Sequence, residues 1–379
     1  MMRIVRWAIV GACMAIATSA GAQPRLYTGE EAVTAAGFPA VAYFRKGDPA
    51  KPLVVFSPGA HHMARIAYGG HPGARREDFL DYWLAQQGYS FLAISYPIDT
   101  PAFAEKRPEF TARDWGKQLI EIARAKIQQN GLSDKLVIAL WSMGGKAVQP
   151  SYAAARDAGL DVETTISFAA TPGIPGLISY TTRLDMAPSG YASRTALYAG
   201  WLKQLADNAK DNGGRAIIPE EIFRTEYVGD MSVNLQGYGE VYREGKFQLD
   251  HMAQATDYGA FNFDAYPLVT VFEDEDVADA RHALADRANW TIYNVNTVIN
   301  RYIAGNKIKL GELGDERWKK LVALTRDLDD RLSIAVGGNH FFFVGERGAK
   351  RTAAAIDESI ARTRAVKAEL EQILKVPLD

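Results

Sequence analysis

The sequence predicts an α/β protein: a mostly parallel sheet flanked by helices, with a large segment inserted between two of its later strands. Three observations lead there. Short, wholly apolar runs such as Leu53–Phe56 and Leu136–Leu140 lack the alternation of a half-solvated strand, which marks strands buried on both faces. These runs alternate with helical stretches up to Thr171-Pro172-Gly173 and resume at Pro267. The segment between them, roughly 90 residues, shows no such rhythm and is too long for a plain loop.

Taken in order, Arg25 to Gly37 reads as a surface lead-in and Ala40 to Arg45 as an early strand closed by Gly47-Asp48-Pro49. Pro52 to Ser57 is a buried strand leading into Pro58-Gly59-Ala60-His61-His62. Asp78 to Gln87 is a helix ended by Gly88, and Tyr89 to Ile94 the next strand. Thr111 to Asn130 is a long amphipathic helix, with Trp115, Leu119, Ile120, Ile122 and Ala123 on its apolar face and Gly131 just beyond its end. Leu136 to Leu140 and Thr164 to Ala169 are further strands, the first followed by a helical stretch from Lys146 to Ala155.

The inserted segment, 173–263, is rich in aromatics, among them Tyr180, Tyr191, Trp201, Phe223, Tyr238 and Tyr258, and is expected to be a partly helical cap. Most of these rings are expected to form the cap's own core, and a few to line a pocket. After the strand Pro267 to Phe272 a second insertion, about 285–328, holds helical stretches. Leu332 to Val336 is the last strand and Ala353 to Leu374 the closing helix. The expected division is therefore a leader at 1–22, a core at 23–172 and 264–379, and the cap between.

The leader has three parts: Arg3 and Arg6, a mostly apolar stretch from Trp7 to Ile16, and Ala20-Gly21-Ala22 as a cleavage site. That layout predicts export to the periplasm or the medium, with no stable membrane insertion once the leader is removed. The only cysteine, Cys13, lies inside it, so the mature chain has no disulfide and no thiol nucleophile. A formal net charge of -2 gives no general attraction to nucleic acid. No Walker or dinucleotide fingerprint falls at a strand-to-helix turn, and His61, His62 and His71 match no metal-ligand spacing, so neither cofactor nor metal is expected.

The chemistry is expected at the carboxyl ends of the strands. Trp141-Ser142-Met143-Gly144-Gly145 joins a strand to a helix through a tight turn with a central serine. The acidic run Glu273-Asp274-Glu275-Asp276 follows a later strand, and His340 follows the last one. In that order, serine, acid and histidine, the chain resembles the α/β-hydrolase superfamily over most of its length outside the insertions.

The resemblance implies a serine esterase in which Ser142 is the nucleophile, His340 its base and one carboxylate the orienting acid. The family spacing Gly-x-x-Asp selects Asp276, with Asp274 next. The oxyanion hole would use the N–H groups of Met143 and Ala60, with His61 as the alternative to Ala60. Three positions depart from the family pattern: Leu140 and Glu273 stand where glycines are usual, and Pro58-Gly59 where many relatives have His-Gly. The implied partner is a small-molecule ester; the oligomeric state is not legible. Competing readings are an acyltransferase or peptidase on the same scaffold, and a non-catalytic binding protein built on it.

Overall fold

The computed structural model describes residues 25–378 apart from Pro175, Ile178, Tyr180 and Thr181; the expected leader lies outside the described residues. Eight strands form one sheet in the order β1-β2-β4-β3-β5-β6-β9-β10. They are β1 (Glu30–Ala35), β2 (Phe38–Arg45), β3 (Leu53–Ser57), β4 (Ser90–Ser95), β5 (Lys135–Trp141), β6 (Asp161–Phe168), β9 (Val269–Glu273) and β10 (Ser333–Ala335). β1 pairs antiparallel with β2, and β2 with β4; every other pairing is parallel.

The expected mostly parallel sheet is therefore present, with an antiparallel edge. That edge corrects one sequence reading: Glu30 to Ala35, within the expected lead-in, is a strand. Its Glu-Glu-Ala-Val-Thr-Ala sequence carries no apolar run because its side chains are largely half-buried or exposed.

Helices cover both faces, as buried parallel strands require. α2 (Ala112–Asn130) and α3 (Val148–Asp157) pack on one side. α2 begins with a reciprocal cap between Thr111 and Asp114 and ends at Gly131 in the left-handed region, both readable from sequence. α1 (Leu80–Gln86) and α10 (Glu346–Leu374) cover the other side. At the centre Trp115 is fully buried and its indole N–H donates to Ser57 Oγ at 2.8 Å, satisfying the ring's one polar atom.

The chain between β6 and β9 holds α4 (Tyr198–Asp211), the single turn α5 (Glu220–Ile222), a hairpin of β7 (Glu240–Arg243) and β8 (Lys246–Leu249), and α6 (His251–Asp257). It meets the loops at the ends of β3 and β4 directly: Val228 bridges to His62 and Met231 to Ile98. Between β9 and β10 run α7 (Ala280–Thr297), α8 (Asp315–Arg326) and the short α9 (Leu328–Arg331). Among the described residues no helix is long and apolar enough to cross a membrane.

Candidate active site

β5 delivers Ser142 at its carboxyl end, and the chain turns at once into a 3-10 turn, Ser142–Ala147, that continues as α3. Ser142 has φ +56, a left-handed conformation that a non-glycine residue adopts only where its surroundings enforce it. The enforcing contacts are close. A side chain on Gly59 would lie 2.5 Å from Ser142 Cβ, so the loop after β3 can lie against the serine only as glycine. A Cβ on Gly144 would sit 3.1 Å from Leu140 Cβ. The elbow needs little bulk at this crossing, and Gly144 supplies that on one side, which leaves Leu140 room where the family pattern has glycine.

The order of strands, the strained serine between β5 and α3, and the histidine beyond β10 decide the fold. It is the α/β-hydrolase fold.

His340 lies beyond β10, held through its main chain from two sides. Its carbonyl accepts the Trp141 indole N–H at 2.9 Å, and its N–H donates to Gln204 Oε1 at 3.0 Å. The Trp141 ring lies 5.0 Å from the imidazole, so the residue before the serine packs against the histidine. Gln204 belongs to α4, whose Asn208 also donates to the carbonyls of Phe341 and Val344. Polar side chains of the inserted segment thus fix the histidine loop.

The expected acid is displaced. His340 Nδ1 meets Asp279 Oδ2 at 2.6 Å, whereas Asp276 Oδ1 accepts the N–H of Ala278 and caps the short turn Val277–Asp279. That turn moves the carboxylate that reaches the imidazole three positions beyond the expected one. Asp276 therefore acts as a cap, and Asp279 orients His340. Nδ1 carries the hydrogen toward the carboxylate, which leaves Nε2 as the basic nitrogen.

Asp274, the second sequence candidate, is buried against Asp279. Burial, and then the Asp279 charge, push its carboxyl up to about 10, so it is the protonated member of the two. Burial works the other way on the balance at Asp279, but the imidazole beside it prevails and holds that carboxyl well below the usual carboxylate range.

Of the two expected oxyanion donors, Met143 directly follows the serine and Ala60 follows Gly59, which lies against it. Met143 is the second residue of the 3-10 turn, so its N–H has no intrahelical partner. The Gly59 carbonyl is pinned by the Tyr96 hydroxyl at 2.6 Å, so the trans Ala60 N–H points away from Tyr96. His61, the alternative donor, is occupied: its N–H meets Met231 Sδ and its ring bonds Gly229 and Gln236. Among the described residues no hydrogen bond joins Ser142 Oγ to His340; such contacts often close only in the substrate complex.

Sequence reasoning missed a second histidine. His282, near the start of α7, stacks on His340 with ring centroids 4.9 Å apart and bonds Asp286 at 2.8 Å through Nδ1. Burial pushes its imidazole down, so it stays neutral. Ligand atoms of Asp279, His282 and His340 lie within 4.8 Å of one another. The two rings are inclined by only 28°, however, so their in-plane lone pairs do not readily converge on one ion. His61, His62 and His71 each bond a different partner and form no shared site.

No known protein-family pattern matches the chain, and no curated protein matches it. Solved structures similar to it include Est1E from Butyrivibrio proteoclasticus (11% identity over 89% of this chain and 100% of that one, TM-score 0.41). An esterase from Pyrobaculum calidifontis shares 15% identity over 88% of this chain and 84% of its own, with TM-score 0.42. A thioesterase domain from the curacin biosynthetic pathway shares 15% over 86% and 98%, with TM-score 0.39.

Proposed function

We propose that this chain is a serine hydrolase that cleaves a carboxylic ester through an acyl-serine intermediate, and that it acts after export. The observation that carries the reading is the 2.6 Å bond from His340 Nδ1 to Asp279, on an imidazole packed against the residue that precedes a strained Ser142. A free hydroxyl is a poor nucleophile at neutral pH and needs a positioned base. Ser142 Oγ attacks the ester carbon as its proton passes to His340 Nε2. The imidazolium, stabilised by Asp279, then protonates the leaving alcohol as the C–O bond breaks. Water repeats the sequence on the acyl-enzyme and releases the acid. The Met143 and Ala60 N–H groups are assigned to the oxyanion. Export rests on the leader composition at 1–22.

A fluorophosphonate probe tests the reading. Labelling of Ser142, lost together with hydrolysis of a short aryl ester in Ser142→Ala, is the expected result. A folded protein that takes no label, or a Ser142→Ala variant that keeps its activity, overturns it. The first outcome favours the binding-protein reading, to which the departures at Leu140 and Glu273 and the lack of a Ser142–His340 hydrogen bond among the described residues lend support.

A further inference from the structure

Among the described residues Arg281, beside the site, has no carboxylate partner. Arg281 follows the acid by two residues. Its Nη2 donates to Thr171 Oγ1 and approaches His282 Nε2 at 3.4 Å. Because His282 Nδ1–H is given to Asp286, its Nε2 is the accepting nitrogen. Nη1 and Nε of Arg281 have no carboxylate partner among the described residues, although Asp279 and Asp286 lie close in sequence and each is committed to a histidine.

Two independent lines of contact link this guanidinium, each through one intervening residue, to the serine's turn and to the base. Thr171 lies against the nucleophile turn: its carbonyl fills the space a side chain on Gly145 would need and accepts Lys146 Nζ at 2.9 Å. On the other side, His282 stacks on His340. Arg281 therefore lies between the serine's turn and the base. Lys146 adds a buried nitrogen whose proton affinity burial, and then Arg281, lower to about 7.

We propose that Arg281 forms an anion subsite beside Ser142, so that the substrate is an ester bearing a free carboxylate. The proposal rests on the serine-hydrolase reading above. A guanidinium whose Nη1 and Nε N–H groups are unengaged can donate them to a carboxylate. A site built from such donors rejects a neutral analogue, because the donors are then left without acceptors.

The test compares a half-ester with its neutral isostere, for instance monomethyl glutarate and the corresponding terminal amide, by titrating released acid. Wild-type protein is expected to favour the carboxylate by about tenfold or more in kcat/KM. Arg281→Gln should lower that ratio by about tenfold, with Arg281→Lys between the two. A ratio near one in the wild type, or a ratio that Arg281→Gln leaves unchanged, overturns the subsite and makes Arg281 a solvated surface residue. Should Arg281→Gln not fold, the wild type still decides. Glutarate must slow fluorophosphonate labelling of Ser142 and its diamide must not, and equal protection overturns the proposal. Labelled Ser142 with no carboxylate preference sinks the subsite alone, whereas absence of labelling sinks the hydrolase reading and the subsite with it.

Discussion

Two histidine–aspartate pairs lie face to face at the end of the sheet, and they are not equivalent. His340–Asp279 and His282–Asp286 have similar bond lengths, 2.6 and 2.8 Å, and their rings touch. The second pair sits within one helix at a spacing of four, a contact that helix geometry produces unaided. The first is assembled from the ends of β9 and β10 and exists only when the sheet is formed. It also has what the second lacks: a main chain held by Trp141 and Gln204, and a protonated Asp274 behind its acid. A histidine–carboxylate bond alone therefore does not mark a catalytic pair; the proposed function rests on the place of the first pair relative to the strained serine.

Disabling each pair in the same way should separate them most sharply. Asp279→Asn is expected to lower kcat by about a thousandfold or more, since the amide no longer stabilises the imidazolium or fixes its tautomer. Asp286→Asn should lower kcat by less than about tenfold, because the His282 ring it holds is assigned no reacting atom. Steady-state kinetics on a short aryl ester read both, and equal losses would give the two pairs one role.

The next effect concerns the stack itself. His282→Phe keeps a flat ring against His340 and removes the imidazole chemistry, so kcat should stay within about tenfold of wild type. The cost should fall on stability, about 1–3 kcal/mol by urea titration, because the buried Asp286 loses its hydrogen-bond donor. His340→Phe should reverse the pattern and abolish turnover. Loss of turnover in His282→Phe, with the fold intact, would put His282 into the proton path.

The contrast between the pairs also explains what the sequence could reveal. Ser142 and His340 were legible because their signals are local: an apolar strand run into a Ser-x-Gly-Gly turn, and a late strand ending in Gly337-Gly338 before the histidine. The sheet was legible for the same reason, since β3 and β5 read as uninterrupted apolar runs. The acid was not. The family spacing assumes a tight turn directly after the strand, and here Glu273 replaces its glycine while a 3-10 turn carries the chain on to Asp279. One signal was available: Asp279 stands immediately before α7, a position where aspartate commonly ends a turn and begins a helix. The hold of Gln204 and Asn208 on the histidine loop was invisible, because polar residues on an amphipathic helix look solvated until the tertiary contact is seen. The edge strand β1 was missed because strand signals weaken where neither face is fully buried.

Asp274 offers a smaller, pH-dependent effect. Its folded-state carboxyl, pushed up to about 10 by burial and by Asp279, binds its proton more tightly than in the unfolded chain, where about 4 is usual. Its contribution to stability is therefore full below about pH 4 and is lost as the pH rises toward about 10. Asp279 has the opposite sign: its depressed carboxyl contributes above the ordinary carboxylate range and loses that contribution as the pH falls through its folded-state value. Asp274→Asn keeps the shape and a donor toward Asp279 while removing one ionisation. Its melting temperature relative to wild type should rise between about pH 5 and about pH 9, with the acid limb kept. A difference that does not change with pH would mean that Asp274 is already ionised in the folded protein.

The smallest effect is expected at the residue that sequence spacing selects as the acid. Asp276 accepts the Ala278 N–H at 2.8 Å, and its own N–H donates to the Gly338 carbonyl at 3.1 Å. Only the first bond uses the side chain. Asp276→Ala should therefore cost about 0.5–2 kcal/mol of stability, as loss of a cap does, and change kcat by no more than about threefold. The residual kinetic effect has a route: the capped turn ends at Asp279, and loosening it blurs the aim of that carboxylate at Nδ1. Asp276→Asn, which keeps a capping oxygen, should recover most of both losses. If Asp276→Ala instead matched Asp279→Asn in kcat while remaining folded, the catalytic acid would be Asp276. The bond between Asp279 and His340 would then be no more telling than the one between Asp286 and His282.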